Sequence, residues 1–245
     1  MRGHATLIAM PQPLRLDSPD ALPAEFVARL AGHQHLFRKH EFLDAVLENR
    51  SVRTIADDLN AYLRQRRIYG YHCTKEPSPG FFETRGLRST DVHARQAEFL
   101  TMYGDRFTAN EVAEMKAAWE DYFEGHGQRS MRDGLVWACL SRSLVKTSGT
   151  KTFFRFFGGE SIFMPLMQHS LIVSKLEALG HPVVVEVALP GDVLNARHEM
   201  SFAILSRHHA TIRPDAHLYE SEASLRQAVP PKDIIRVSPL SEFQA

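Results

Sequence analysis

Cysteine is scarce in this chain of 245 residues: there are two, Cys73 and Cys139. Two thiols in a chain this long do not make a disulfide framework. Neither lies in a CxxC, and no His/Cys grouping has zinc spacing. Excess charge of one sign is also missing, because Lys+Arg and Asp+Glu each number 29. That balance excludes a protein that coats nucleic acid by charge alone; the local basic run Arg64, Arg66 and Arg67 reads as a helix C-terminus, where cations are favoured. No run approaches the roughly 18 apolar residues of a membrane span. The N-terminal apolar run is brief and broken by prolines, too short for a signal h-region. The expectation is a soluble, reducing, cytoplasmic protein with no membrane partner. GxGxxG after a strand and GxxxxGK[ST] are absent, and with them the standard phosphate-cradling loops.

What is present is an ordinary globular composition, 44% hydrophobic and 24% charged, with enough chain to bury a substantial core. Residues 1 to about 22 read as an irregular Pro-rich arm. A short helix follows, capped by Ser18 or Asp20. Residues 39 to 67 have helical periodicity, carried by Phe42, Leu43, Val46 and Leu47, then Val52, Ile55, Leu59 and Leu63. "RIYGYHCT" switches to strand chemistry. Residues 91 to 127 read as a helical hairpin whose second helix is opened by a Thr108–Glu111 capping box. "GLVWACLSRS" (134–143), "HPVVVEVALP", "SFAILSRHHATI", "AHLYESEASL" and "DIIRVSPL" read as strands. "SLIVSKLEALG" is an amphipathic helix stopped by Gly180. Helices come first, then about six strands with helices interspersed, so the fold class is α+β rather than a doubly wound parallel sheet. The division drawn is 1–67, arm and helical region, and 68–245, a domain with an insertion at about 91–127.

Few residues stand out chemically. His72 and Thr74, two apart in a strand, point to one face and can hydrogen-bond one ligand together, a ribose diol or a carboxamide. The other reading of His72 is a hydrogen-bonded core histidine. Glu220 and Glu222 are also two apart; on a strand they share a face, and repulsion raises the pKa of one of them. Glu160 follows two glycines that let backbone approach something closely. Arg155 sits among Phe153, Phe154, Phe156 and Phe157, buried with a partner or stacked on a ring. Cys73 and Cys139, without a basic neighbour, read as filler, and no spacing asks for a metal.

"YHCT" followed by a spacer and Gly86-Leu87 resembles the first strand and turn of the ADP-ribosyltransferase fold. The likeness is to its histidine-containing branch of poly-ADP-ribose polymerases, diphtheria-like toxins and RNA 2′-phosphotransferases. "GLVWACLSRS" resembles that family's second strand. "LYESEASLRQAVPPKDIIRV", with its glutamates and its Val229-Pro230-Pro231 step, resembles the last strands. The resemblance implies a split mixed or antiparallel sheet and an NAD-dependent glycosyltransferase that passes ADP-ribose to an unidentified acceptor, by analogy a bacterial toxin or defence effector. It implies catalytic roles for His72 and for Glu220 or Glu222, with the carboxylate facing the positive charge that develops as nicotinamide leaves. For NAD it implies contacts from Tyr71, His72, Cys73, Thr74, Gly86, Ser141, Arg155 and Phe156, the last as part of an aromatic wall. The family's middle residue, usually a tyrosine or serine, could be Ser141, Ser143 or a phenylalanine. An inactive nucleotide-binding module and an RNA 2′-phosphotransferase-like enzyme are the alternatives.

Overall fold

The computed structural model describes residues 12–89 and 91–244; residues 1–11, the start of the expected arm, lie outside that range. The fold is α+β: helices around a six-stranded sheet, all of whose pairings are antiparallel. The strands are β1 (Arg67–Glu76), β2 (Val136–Cys139), β3 (His181–Pro190), β4 (Asn195–Ala196), β5 (Glu222–Leu225) and β6 (Ile234–Pro239). Their order across the sheet is β4-β5-β2-β1-β3-β6.

β3 and β1 form the backbone of the sheet and pair along all ten residues, from Arg67 opposite Pro190 to Glu76 opposite His181. The near-continuous apolar run of β3 follows from burial on both faces. Val183, Val185, Val187 and Leu189 join one core; Val184 joins another on the opposite face with Tyr71, Val145, Phe154 and Phe243. Glu186 lies in that strand without solvent. It accepts hydrogen bonds from the Tyr69 hydroxyl, from Arg236 Nε at 2.7 Å and from Ser238 Oγ at 3.4 Å.

The first core is closed by the N-terminal helices. In Arg50–Arg64 the buried positions Val52, Ile55, Ala56, Leu59 and Leu63 make one stripe, and the Asn49 side chain caps the helix by accepting from the amides of Ser51 and Val52. Leu16 through Leu63 share this core with the strands, so packing is continuous across position 67. The segment "SFAILSRHHATI", expected as a strand, is instead the helix Met200–Ile212. Its Phe, Ile and Thr content suggests a strand only weakly. Met200, Ala203, Ile204, Leu205 and His209 are buried, and His209 Nε2 lies 2.8 Å from the Phe37 carbonyl.

The expected hairpin forms as the helices Val92–Tyr103 and Ala109–Glu120, with both halves of the Thr108–Glu111 capping box made. It has its own core. Phe99, Phe107, Trp119 and Phe123 pack on Phe156, Phe157, Ile162, Phe163 and Leu176. The aromatic density of "FFRFF" is thus shared among two cores and a cavity wall, at the end of the helix Ser148–Arg155. No helix among the described residues is long and apolar enough to cross a membrane.

Candidate functional site

β1 and β2 meet in register only at Tyr71–Cys139 among the described residues. Beyond that point they diverge. A cavity of about 600 Å³ occupies the opening, and residues from both faces of the sheet reach it. His72 and Thr74 come from one face; Tyr71, Cys73, Cys139 and Trp137 come from the other. The hairpin helix Val92–Tyr103 and the Gly158–Ser161 turn close the sides.

Within β2 the alternation is set by β5: the Leu140 amide donates to the Ser221 carbonyl at 2.8 Å, so the Trp137 carbonyl points the other way, toward β1. His72 Nδ1 lies 2.8 Å from that carbonyl oxygen. A carbonyl can only accept, so Nδ1 carries the proton, and in the neutral ring Nε2 is left with its lone pair. Burial lowers the His72 pKa below its ordinary value and Arg95 lowers it further, against the Trp137 hydrogen bond. The ring is therefore a neutral acceptor at physiological pH.

Gly86 and Leu87 form another part of the wall. Leu87 exchanges two backbone hydrogen bonds with Val229, at 2.8 and 2.7 Å. The Gly-Leu turn and the Val-Pro-Pro step, 142 positions apart in the chain from Leu87 to Val229, are thus stitched to each other.

The two glutamates part company. Glu222 opens β5 opposite Cys139 and lines the cavity, with Arg197 Nη1 at 3.3 Å. Tyr71, Cys139 and Glu222 form one row across three neighbouring strands, so the Glu222 backbone is roughly 10 Å from that of Tyr71 at about 4.8 Å per strand. Glu220 precedes the strand and turns away. Its carboxylate takes Arg207 Nη2 at 2.6 Å and the hydroxyl of Ser141, which is itself almost fully buried. Glu160 does line the cavity, 2.9 Å from Arg132 Nε; burial raises its pKa, Arg132 opposes this and Glu222 adds to it.

Of the expected contacts, Tyr71, His72, Cys73, Thr74, Gly86 and Glu222 reach the cavity. Tyr71 keeps its hydroxyl on Arg15 at 2.8 Å and belongs chiefly to the core; desolvation pushes its pKa up to about 12. Hydrogen bonding to Cys139 and burial hold the Cys73 thiol protonated. Ser141, Glu220, Arg155 and Phe156 are elsewhere. Arg155 is tied to Glu177 at 3.0 and 3.1 Å and lies over the Phe156 ring on the far side of the aromatic core. A helix ending at Arg155 turns that side chain outward: it stacks on a ring and has a partner, as one reading of its aromatic neighbours expects, but it is exposed rather than buried. Phe81, Phe82, Phe153 and the half-exposed Trp137 join Tyr71 as aromatics of the cavity wall. Arg88, Arg95, Glu98 and Arg132 also line it without having been singled out from sequence. Among the described residues no group of three or more His, Cys, Asp or Glu could hold a metal.

No protein-family model, curated protein or solved structure matches this chain. The chemistry must therefore be argued from the cavity. It presents the neutral His72 ring beside the Arg95 cation, and Glu160 beside Glu222 and Arg132. A neutral hydrogen-bond acceptor, aromatic faces and a half-exposed carboxylate together suit a ligand with sugar hydroxyls, a flat ring and a centre that becomes positive.

Proposed function

We propose that this protein is an ADP-ribosyltransferase that takes NAD as substrate. The observation that carries the reading is that His72 of β1 and Glu222 of β5 line one cavity, while Glu220 is consumed by Ser141 and Arg207. The strand order supports it, because it sets β1, β2 and β5 side by side, the three strands on which the resemblance puts its functional residues. The Leu87–Val229 bridge supports it too, since two separate patches of the resemblance prove to be one structural unit.

In this reading His72 Nε2 accepts from a hydroxyl of the nicotinamide-side ribose. Thr74 stands beside it on the same face of β1, and Trp137 and Phe153 offer rings for the nicotinamide. The C1′–N bond breaks and nicotinamide departs neutral with the electron pair. The charge left on the ribose faces the Glu222 carboxylate, and the acceptor closes the new bond to C1′ as it loses its proton. Glu160, with its raised pKa, is another carboxyl in reach of the cavity.

The test is NAD binding and nicotinamide release by wild type, His72→Ala and Glu222→Ala. Loss of release in both variants is expected. Equal release by all three ends the reading. A second reading, removal of a 2′-phosphate from RNA with the ADP-ribosyl group of NAD as its acceptor and nicotinamide as the leaving group, is favoured by one observation, Arg88 and Arg95 in the same wall as His72. Phosphate loss from a 2′-phosphorylated oligonucleotide distinguishes it.

A further inference from the structure

The inserted hairpin has a task beyond filling space. Arg95 and Glu98 are one turn apart on its first helix, with Arg95 Nη1 3.1 Å from Glu98 Oε2. Arg88, on the chain entering the hairpin, bonds the same oxygen, and Arg85 lies 3.8 Å from the other. Three guanidinium groups thus share one carboxylate. Asp91 is on the same rim but spends an oxygen capping the helix at the Ala94 amide, 2.8 Å away. Even counting Asp91, this corner keeps a surplus of positive charge.

The arrangement is rigid where it matters. The Arg95 side chain is 22% exposed and its guanidinium lies 5.9 Å from the centre of the Phe157 ring, against the hairpin's own core. A guanidinium has five N–H donors in a planar fork suited to phosphate oxygens. Arg88, on a separate segment and 55% exposed, supplies a second fork. Arg88, Arg95 and Glu98 all line the cavity that His72 lines.

We infer that Arg88 and Arg95, organised by Glu98, form an anion-binding corner that takes the diphosphate of a nucleotide. The inference rests on reading the cavity as a nucleotide site and adds the ligand's orientation. His72 Nε2, a lone pair, repels phosphate oxygens and accepts from hydroxyls, so the sugar lies on His72 and the diphosphate on the arginines. The hairpin is then the element that brings charge to a sheet whose own strands supply little.

Calorimetric titration of the full chain with inorganic pyrophosphate, ADP and adenosine tests this. ADP and pyrophosphate should bind, adenosine at least tenfold more weakly than ADP, and Arg88→Gln and Arg95→Gln should each weaken ADP binding tenfold or more. Arg88, exposed and outside the helix, keeps the test valid where Arg95→Gln fails to fold. Absence of ADP and pyrophosphate binding by wild type overturns the inference, as does ADP affinity within twofold of wild type in Arg88→Gln. The two proposals fail separately. Arginine-dependent ADP binding without nicotinamide release removes the transferase and leaves the anion corner. Nicotinamide release with an unchanged KM for NAD in Arg88→Gln does the reverse.

Discussion

Gly86→Ala is the substitution whose effect the structure specifies most fully. Gly86 has φ 68° and ψ −165°, a region that only glycine occupies readily. Placing any other residue there costs about 1–3 kcal/mol in backbone strain. Sterics add to this. A Cβ on residue 86 would sit 2.1 Å from the Val229 carbonyl oxygen and 3.0 Å from the Pro230 carbonyl carbon, both backbone atoms that no rotamer change can move aside. That same oxygen accepts the Leu87 amide at 2.8 Å, and Val229 donates back to Leu87 at 2.7 Å. Relieving the contact means pulling the two segments apart and losing both bonds, each worth about 1 kcal/mol net. Backbone strain and the loss of the two bonds act together, so the expected loss is about 3–5 kcal/mol, a large share of a typical domain's stability. Urea denaturation followed by circular dichroism should show a lower midpoint with an unchanged slope. Gly32→Ala is the control: nothing lies within 4 Å of its Cβ position, and a gain of up to about 1 kcal/mol or no change is expected. A Gly86→Ala protein within about 0.5 kcal/mol of wild type would refute the reasoning, because neither strain nor collision could then be real.

Glu222→Gln should cut nicotinamide release by roughly 10²–10³-fold with little change in melting temperature, whereas Glu220→Gln should act on stability, by about 1–3 kcal/mol, through Ser141 and Arg207; the reverse pattern would reassign the carboxylates. Because the folded protein holds the His72 pKa below its ordinary 6.5, the native state binds fewer protons than the unfolded chain, and stability is lost as pH falls through 6.5 toward the lowered value. His72→Asn should therefore gain on wild type in thermal scans as pH falls below about 6.5 and show a constant difference well above it; a difference independent of pH throughout contradicts the lowered pKa of the ring. Glu186→Ala should cost about 1–3 kcal/mol by leaving the Tyr69 and Ser238 hydroxyls without their acceptor, Arg236 being 57% exposed and able to turn to water; a loss under about 0.5 kcal/mol in urea melts would mean that the network contributes little.

What the sequence made legible follows from the kind of signal each element carries. β3 is readable because a strand buried on both faces must be apolar throughout, and the Thr108–Glu111 box because a helix start needs two specific side chains at fixed spacing. The pairing of His72 with Thr74 is readable from period two. The same period misleads at Glu220 and Glu222, since it holds only within a strand, and β5 begins at Glu222. Nothing in "LYESEASL" marks that boundary; the Arg207 that claims Glu220 is on a helix that itself reads as a strand. Arg95 is invisible for another reason. On the helix Val92–Tyr103 it flanks the buried positions Val92, Gln96 and Phe99, where a charge looks like an ordinary solvent-facing residue. Only docking of Phe99 and Trp119 onto Phe157 and Phe163, a tertiary event, turns that flank toward His72.

His72 shows why the choice between a core histidine and a site histidine is a false one here. A ladder continued past Tyr71–Cys139 would give the Trp137 carbonyl a backbone amide of β1. The strands separate instead, and the Trp137 carbonyl takes its donor from a side chain. The imidazole supplies that donor through Nδ1. One hydrogen bond therefore does two things: it lets β1 and β2 part, which opens the cavity, and it fixes the tautomer, which leaves Nε2 as an acceptor inside it. An asparagine could replace the donor and would keep the cleft open while changing what the cleft can hold. An alanine would remove both, so the two variants should differ in stability even where they agree in having lost nicotinamide release.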